Sequence, residues 1–301
     1  MISKIICLCM CLFFFNSTSS FAIESKKHLK EKERITVKDD SSNNNAKKNC
    51  QQEVVNKNES KVSLLNNQAC IPEKRNDWSS AYSDYLRDKY PDKGSKKILF
   101  IGDSLIQQWS NSANHKYPGG QEVWNQAFNP ITAANFGISG DCTENLLWRI
   151  TEGKLLDHFN PKVVVIMIGT NNIHSKKKYK PMQIAEGIKL IVDTVREKLP
   201  KSKILLLGIF PRFDDWKSPK YFESNINEIN KSIAKYNDGK NVFFMNIGEK
   251  FLNSDGSIKK ELFRDGLHLT PKGYQIWADN MNPYLLDILN NDGKGDIWTK
   301  K

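Results

Sequence analysis

Histidine and cysteine are scarce in this 301-residue chain, and what there is does not cluster. It has five histidines and six cysteines. No CxxC pair and no Cys/His group has metal-site spacing, which excludes a zinc finger or ribbon. Long apolar runs are missing too. The run over residues 5–15 falls short of the roughly 20 residues a membrane-spanning helix needs. Aromatic residues are absent from 23 to 76, and a segment so polar cannot bury enough surface to offset its ordering entropy. No internal repeat is visible, which excludes a solenoid.

The apolar run has the layout of a secretory signal. Lys4 precedes it and Ser20-Phe21-Ala22 follows it, so residues 1–22 are expected to be removed by cleavage after Ala22 and the protein exported, to a periplasm or the outside. Cys7, Cys9 and Cys11 leave with the signal. Export permits a disulfide, and Cys50 with Cys70 is a candidate bridge, which would leave Cys142 a free thiol. Residues 23–76 are expected to form a flexible Lys/Asn/Ser-rich leader, residues 77–289 the folded domain, and 290–301 a frayed polar tail. The net charge of +11 comes from lysines dispersed among Asn and Ile. That reads as a solvated surface with no nucleic-acid partner; peripheral contact with an anionic membrane stays open.

From Lys97 onward strand and helix alternate. Apolar runs at 98–101, 133–136, 163–168, 204–207 and 242–245 read as strands, and four of them end in glycine. Helical periodicity covers 78–90, 144–151, 182–199, 221–236 and 271–289, the last with Pro271 in its first turn. Strands apolar on both faces predict a parallel five-stranded sheet between two helical layers, an α/β fold. Polar residues just past the strand ends then line one edge of the sheet, where such folds place their sites.

Four blocks fall on that edge. Gly102-Asp103-Ser104-Leu105 puts a serine straight after a buried strand. Its hydroxyl can enter a cleft and its backbone N–H can face a developing oxyanion, although a capping serine in a βα turn would look the same. Asp265-Gly266-Leu267-His268 pairs a carboxylate with an imidazole three residues on, and none of His28, His115, His158 or His174 has a carboxylate at that spacing. One loop can therefore hold a base and the group that orients it; a capping Asp beside a surface His is the alternative. Gly169-Thr170-Asn171-Asn172 offers a side-chain amide donor, or a plain Asn turn. Asn135-Phe136-Gly137-Ile138-Ser139-Gly140-Asp141 offers close backbone approach at its glycines. Cys142 has no base near it in sequence and reads as a loop or helix-start residue. Lys176-Lys177-Lys178 reads either as a solvated loop or as a cationic rim to the cleft.

In this order the four blocks resemble the SGNH (GDSL) hydrolase family over residues 97 to about 289. The second block, its continuation Leu147-Trp148-Arg149-Ile150, and Pro211-Arg212 look most like the branch of the platelet-activating-factor acetylhydrolase catalytic subunits. The resemblance implies a flavodoxin-like three-layer α/β/α fold. It implies Ser104 as nucleophile, His268 as base and Asp265 as its partner, with an oxyanion hole from the N–H groups of Ser104 and Gly140 and the amide of Asn171. Ser139 stands where the family usually has glycine, so loop geometry or substrate fit is expected to differ more than catalysis. Asn172 stands where many members carry Asp. The implied activity needs no metal or organic cofactor. It is hydrolysis of short acyl esters, acetyl foremost, on a lipid or sugar. Longer-chain lysophospholipase or thioesterase action, acetyl transfer to a glycan, and a non-catalytic binding protein are the alternatives.

Overall fold

Hydrophobic runs that must bury both faces settle into the middle of a layered domain. The computed structural model describes residues 66–90, 93–215, 218–221 and 223–295. Four strands come first: β1 (Ile98–Gly102), β2 (Ala133–Gly137), β3 (Val163–Met167) and β4 (Lys203–Leu207). A small antiparallel hairpin, β5 (Phe213–Asp215) and β6 (Ser218–Tyr221), precedes β7 (Val242–Met245). The main sheet has the order β2-β1-β3-β4-β7, and every pairing is parallel. β1 lies between β2 and β3, with Gly102 level with Gly137 of β2 and Met167 of β3. The ends of these three strands therefore lie side by side.

Among the described residues, eight α-helices complete the layers: α1 (Trp78–Asp88), α2 (Ser104–Gln107), α3 (Gln121–Ala127), α4 (Thr143–Ile150), α5 (Thr170–Ile173), α6 (Pro181–Lys198), α7 (Glu223–Ile233) and α8 (Pro271–Asn291). Alternate strand residues feed two cores, as the period of two requires. Leu99, Ile101, Val164, Ile166 and Leu206 pack with Leu146, Ile188, Ile191 and Ile229 from α4, α6 and α7. Phe100, Val163, Val165, Met167 and Leu205 pack with Trp124 of α3 and Tyr274, Trp277 and Met281 of α8. Trp109 lies 4.5 Å from Tyr274 and 5.1 Å from Trp277, ring centre to ring centre. The Tyr274 hydroxyl donates to the Leu105 carbonyl (2.8 Å), which pins α8 to the turn carrying Ser104.

Three expectations are corrected. The expected leader does not run to residue 76. Asn67 and Ala69 are buried, and residues 67–77 form a strap across α6 and α4. Asn67 Nδ2 donates to the Gln183 carbonyl and to Glu186 (2.9 and 2.8 Å). Thr143 Oγ1 donates to the Ala69 carbonyl (2.9 Å), and the Glu73 N–H donates to the Glu144 carbonyl (3.0 Å). Beyond Ala69 and Cys70 its anchors are hydrogen bonds rather than apolar area, so composition does not reveal it. Second, the helix expected from Tyr221 begins at Glu223, because 218–221 pair with 213–215 as a hairpin strand; Pro219 favours extended backbone there. Third, α8 runs through Asn291, and the Gly295 N–H still donates to Asp287 (3.1 Å). Cys70 is a free, buried cysteine. Its candidate partner Cys50, the export signal and the rest of the leader lie outside the described residues.

The sheet leaves no room between the ends of β1 and β2. A Cβ on Gly137 would stand 2.2 Å from the Gln107 nitrogen, 2.7 Å from the Ile106 carbonyl carbon and 2.8 Å from the Asp103 carbonyl oxygen. All three are backbone atoms of the turn that carries Ser104, so none can swing aside. Gly137→Ala is expected to cost about 3 kcal/mol of stability, measured by denaturant unfolding. A change under about 1 kcal/mol would show that the turn yields.

Candidate active site

The turn after β1 is built by Asp103. Its Oδ1 accepts from the Leu105 N–H (2.9 Å) and caps α2. Ser104 thus takes the first helical position, where a backbone N–H has no acceptor within the helix. Ser104 is buried, and its hydroxyl lies 2.9 Å from His268 Nε2.

The loop before α8 supplies the rest. His268 Nδ1 lies 2.7 Å from Asp265 Oδ2. The other oxygen, Oδ1, accepts from the N–H groups of Leu267 (3.1 Å) and His268 (2.8 Å). The Arg264 N–H donates to the His268 carbonyl (2.7 Å) and Phe263 bridges Leu269, so the loop is closed at its base. Asp265 is half exposed. What burial it has pushes its carboxyl up, but the His268 ring and the two N–H donors prevail and hold it well below the usual carboxylate range. Asp265 therefore stays ionised at neutral pH. An ionised carboxylate on Nδ1 fixes the proton there and leaves Nε2 to accept from Ser104.

The flanking strands place the remaining expected residues. Gly140 follows β2 with φ +84°, a backbone conformation open to glycine at little cost. Asn171, in α5 after β3, donates through Nδ2 to the Asp141 carbonyl (2.9 Å), tying the two loops together. Ser139, the departure from the family pattern, donates to Gln107 Oε1 through both its hydroxyl and its N–H, the latter at 2.9 Å. Its hydroxyl is thus occupied by the end of α2. Asn172 does different work from its neighbour. It is buried, accepts from the Thr143 N–H (3.0 Å), and donates to Glu144 (2.9 Å).

Several functional supports went unread in the sequence. Arg149 is buried and donates to Asp141 Oδ2 (2.7 Å) and to the Phe136 carbonyl. Arg75, on the strap, donates from Nη1 to Asp141 Oδ1 (3.1 Å) and to the Ser139 carbonyl (2.7 Å). Arg212 donates to the carbonyl and hydroxyl of Thr170 (2.7 and 3.1 Å), bracing the Asn171 turn. Arg149 and Arg212 do lie in stretches quoted for the family resemblance, so position was the available signal. Lys177 pairs with Glu73 (2.5 Å) and Glu144 (3.1 Å), so it is not a free charge on a cleft rim. Burial, with Glu144 and Asp141, pushes the Cys142 thiol far up; a thiol so raised is a poor nucleophile at neutral pH. Among the described residues no cluster of His, Cys, Asp and Glu could hold a metal ion.

Comparison with known proteins gives this arrangement its family. Residues 100–276 match the model of the GDSL-like Lipase/Acylhydrolase family. The chain belongs to that family. This GDSL hydrolase is 32% identical over 233 residues to platelet-activating factor acetylhydrolase IB subunit alpha2 of Rattus norvegicus, covering 74% of the chain and 92% of the relative. It is 33% identical over 219 residues to subunit alpha1 of Bos taurus, covering 72% and 87%. Its fold matches a GDSL-like lipase structure from Bacteroides thetaiotaomicron with TM-score 0.55 at 20% identity, covering 69% of this chain and 98% of that one. A second match, from Bacteroides fragilis, has TM-score 0.57 at 19% identity and covers 72% and 100%.

Asp103 gives the site a pH signature. It is buried, and among the described residues its Oδ2 has no hydrogen-bond partner. Burial raises its carboxyl to about 7, against the pull of the Leu105 N–H. An unfolded Asp titrates near 3.9. Between those values the folded state keeps a proton that the unfolded state has lost, so stability falls as pH rises through the window. Asp103→Asn keeps a good cap and removes the titration. Denaturant unfolding at about pH 5 and about pH 8 is expected to show a larger loss in wild type than in the variant. Equal losses would remove Asp103 from the balance.

Proposed function

We propose that the protein is an exported serine esterase that hydrolyses short carboxylic esters, acetyl esters foremost, of a lipid or a carbohydrate. The observation that carries this reading is the unbroken chain of hydrogen bonds from Asp265 through His268 to Ser104. The relatives named as acetylhydrolases support the acetyl preference. Lys4, the apolar run and Ser20-Phe21-Ala22 support export.

The chemistry follows from the geometry. His268 Nε2 takes the Ser104 proton as Oγ attacks the ester carbonyl carbon. Asp265, already ionised, stabilises the imidazolium that forms. The carbonyl oxygen gains negative charge, met by the N–H groups of Ser104 and Gly140 and the Asn171 amide. The intermediate collapses, the C–O bond to the alcohol breaks, and His268 returns the proton to the leaving oxygen. Water then attacks the acyl-Ser104 ester with His268 again as base, which releases the acid and restores the serine.

Ser104→Ala is expected to lower kcat by about 10⁴-fold or more, and Asn171→Ala by about 10²–10³-fold. The test is turnover across a series of acyl chain lengths, with acetylated sugars and phospholipids among the substrates and Ser104→Ala as control. Turnover that rises with chain length would replace the acetyl reading with a lysophospholipase or thioesterase one. Wild-type turnover in Ser104→Ala would overturn the nucleophile assignment. N-terminal sequencing of the exported protein should start at Ile23; retention of Met1 would overturn export.

A further inference from the structure

The strap that precedes the family's matched region delivers one side chain to the oxyanion loop. Arg75 lies well ahead of residue 100, where the family match begins. The strap reaches it after the Asn145 amide has donated to the Glu73 carbonyl (3.1 Å). Beyond it, Asp77 caps α1 by accepting from the Ser79 N–H (2.9 Å). Asp77 Oδ2 also takes Nε and Nη2 of Arg75 (3.1 and 2.6 Å), fixing the plane of the guanidinium. The remaining nitrogen, Nη1, faces the loop and donates to the Ser139 carbonyl (2.7 Å) and to Asp141 Oδ1 (3.1 Å). A Cβ on Gly140 would meet the guanidinium at 3.1–3.4 Å, so Arg75 lies directly over that residue.

The Ser139 carbonyl and the Gly140 N–H belong to one peptide group. That group is planar, and all described peptides are trans. Its N–H therefore points opposite to its C=O. A charged donor on the oxygen sets the direction of the N–H and draws electron density away from it, which strengthens it as a donor. We propose that Arg75 is a positioning residue of the oxyanion hole, which aims and polarises the Gly140 N–H by holding the carbonyl of the same peptide. This rests on the reading of Ser104 as nucleophile and Gly140 as oxyanion donor. Arg75 itself touches no reacting atom. Its effect is therefore felt where the oxyanion forms and not where the substrate docks.

Arg75→Met keeps the bulk of the stem and removes the donors; Arg75→Lys keeps one charged donor. On an acetyl ester, Arg75→Met is expected to lower kcat about 10–100-fold, less than loss of a whole oxyanion donor, with KM within about threefold of wild type. Arg75→Lys is expected to recover about tenfold of that loss. Thermal unfolding of each variant separates this from a failure to fold. A kcat for Arg75→Met within about twofold of wild type, or a raised KM at unchanged kcat, overturns the proposal. So does an equal loss in both variants that tracks a lower Tm. Ser104→Ala, measured alongside, keeps the two questions apart. An active Ser104→Ala overturns the underlying reading, whereas an inactive one beside a fully active Arg75→Met overturns the role of Arg75 alone.

Discussion

A single buried carboxylate, Asp141, organises the edge of the sheet where the site lies. A charge taken out of water costs several kcal/mol unless it is paired and hydrogen-bonded. Here it meets one arginine from α4 and one from the strap, each on its own oxygen. Its main-chain carbonyl accepts from Asn171. Three segments far apart in sequence thus converge on one residue, and Gly140 immediately precedes it. Breaking either ion pair would leave one buried Asp141 oxygen without its arginine, so the loop has few alternative positions.

Ser104 and Asn171 stand on elements that could not persist alone. α2 and α5 each span four residues, below the length at which a helix holds itself together in water. Packing and side-chain hydrogen bonds keep them in place. Asp103 caps the first, and Gly137 presses against its backbone. Arg212 and Asn172 brace the second. The two adjacent asparagines divide the labour: Asn172 is buried against α4, and Asn171 spends one amide N–H on the Asp141 carbonyl and has a second to offer at the strand edge.

The strands and the contacting set Ser104, Asp265 and His268 were legible because they obey local rules. Buried strands of a parallel sheet are apolar throughout, and the runs at 98–101 and 163–168 admit little else. Ser104, Asp265 and His268 stood out because few histidines compete and because one has a carboxylate three residues before it. The strap was not legible. Its residues are mostly polar, and it is held by side-chain and backbone hydrogen bonds and by two edges of one guanidinium, which no window of hydropathy registers. Arg149 was hidden differently. It sits one residue after Trp148 on a helix, where an arginine normally marks the wet face; only the position of Asp141 reveals that this one points inward. The hairpin at 213–221 lay under a helical pattern that begins in earnest only at Ile226.

The bond from Tyr274 to the Leu105 carbonyl joins residues 169 apart in the chain, and the contact of His268 with Ser104 spans 164. Ser104 is among the first parts of the domain to leave the ribosome, and His268 is among the last. Until the segment carrying His268 docks, Ser104 has no imidazole beside it. Under the proposed reading, the order of synthesis acts as a safety catch: a half-made or C-terminally clipped chain carries the serine without its base.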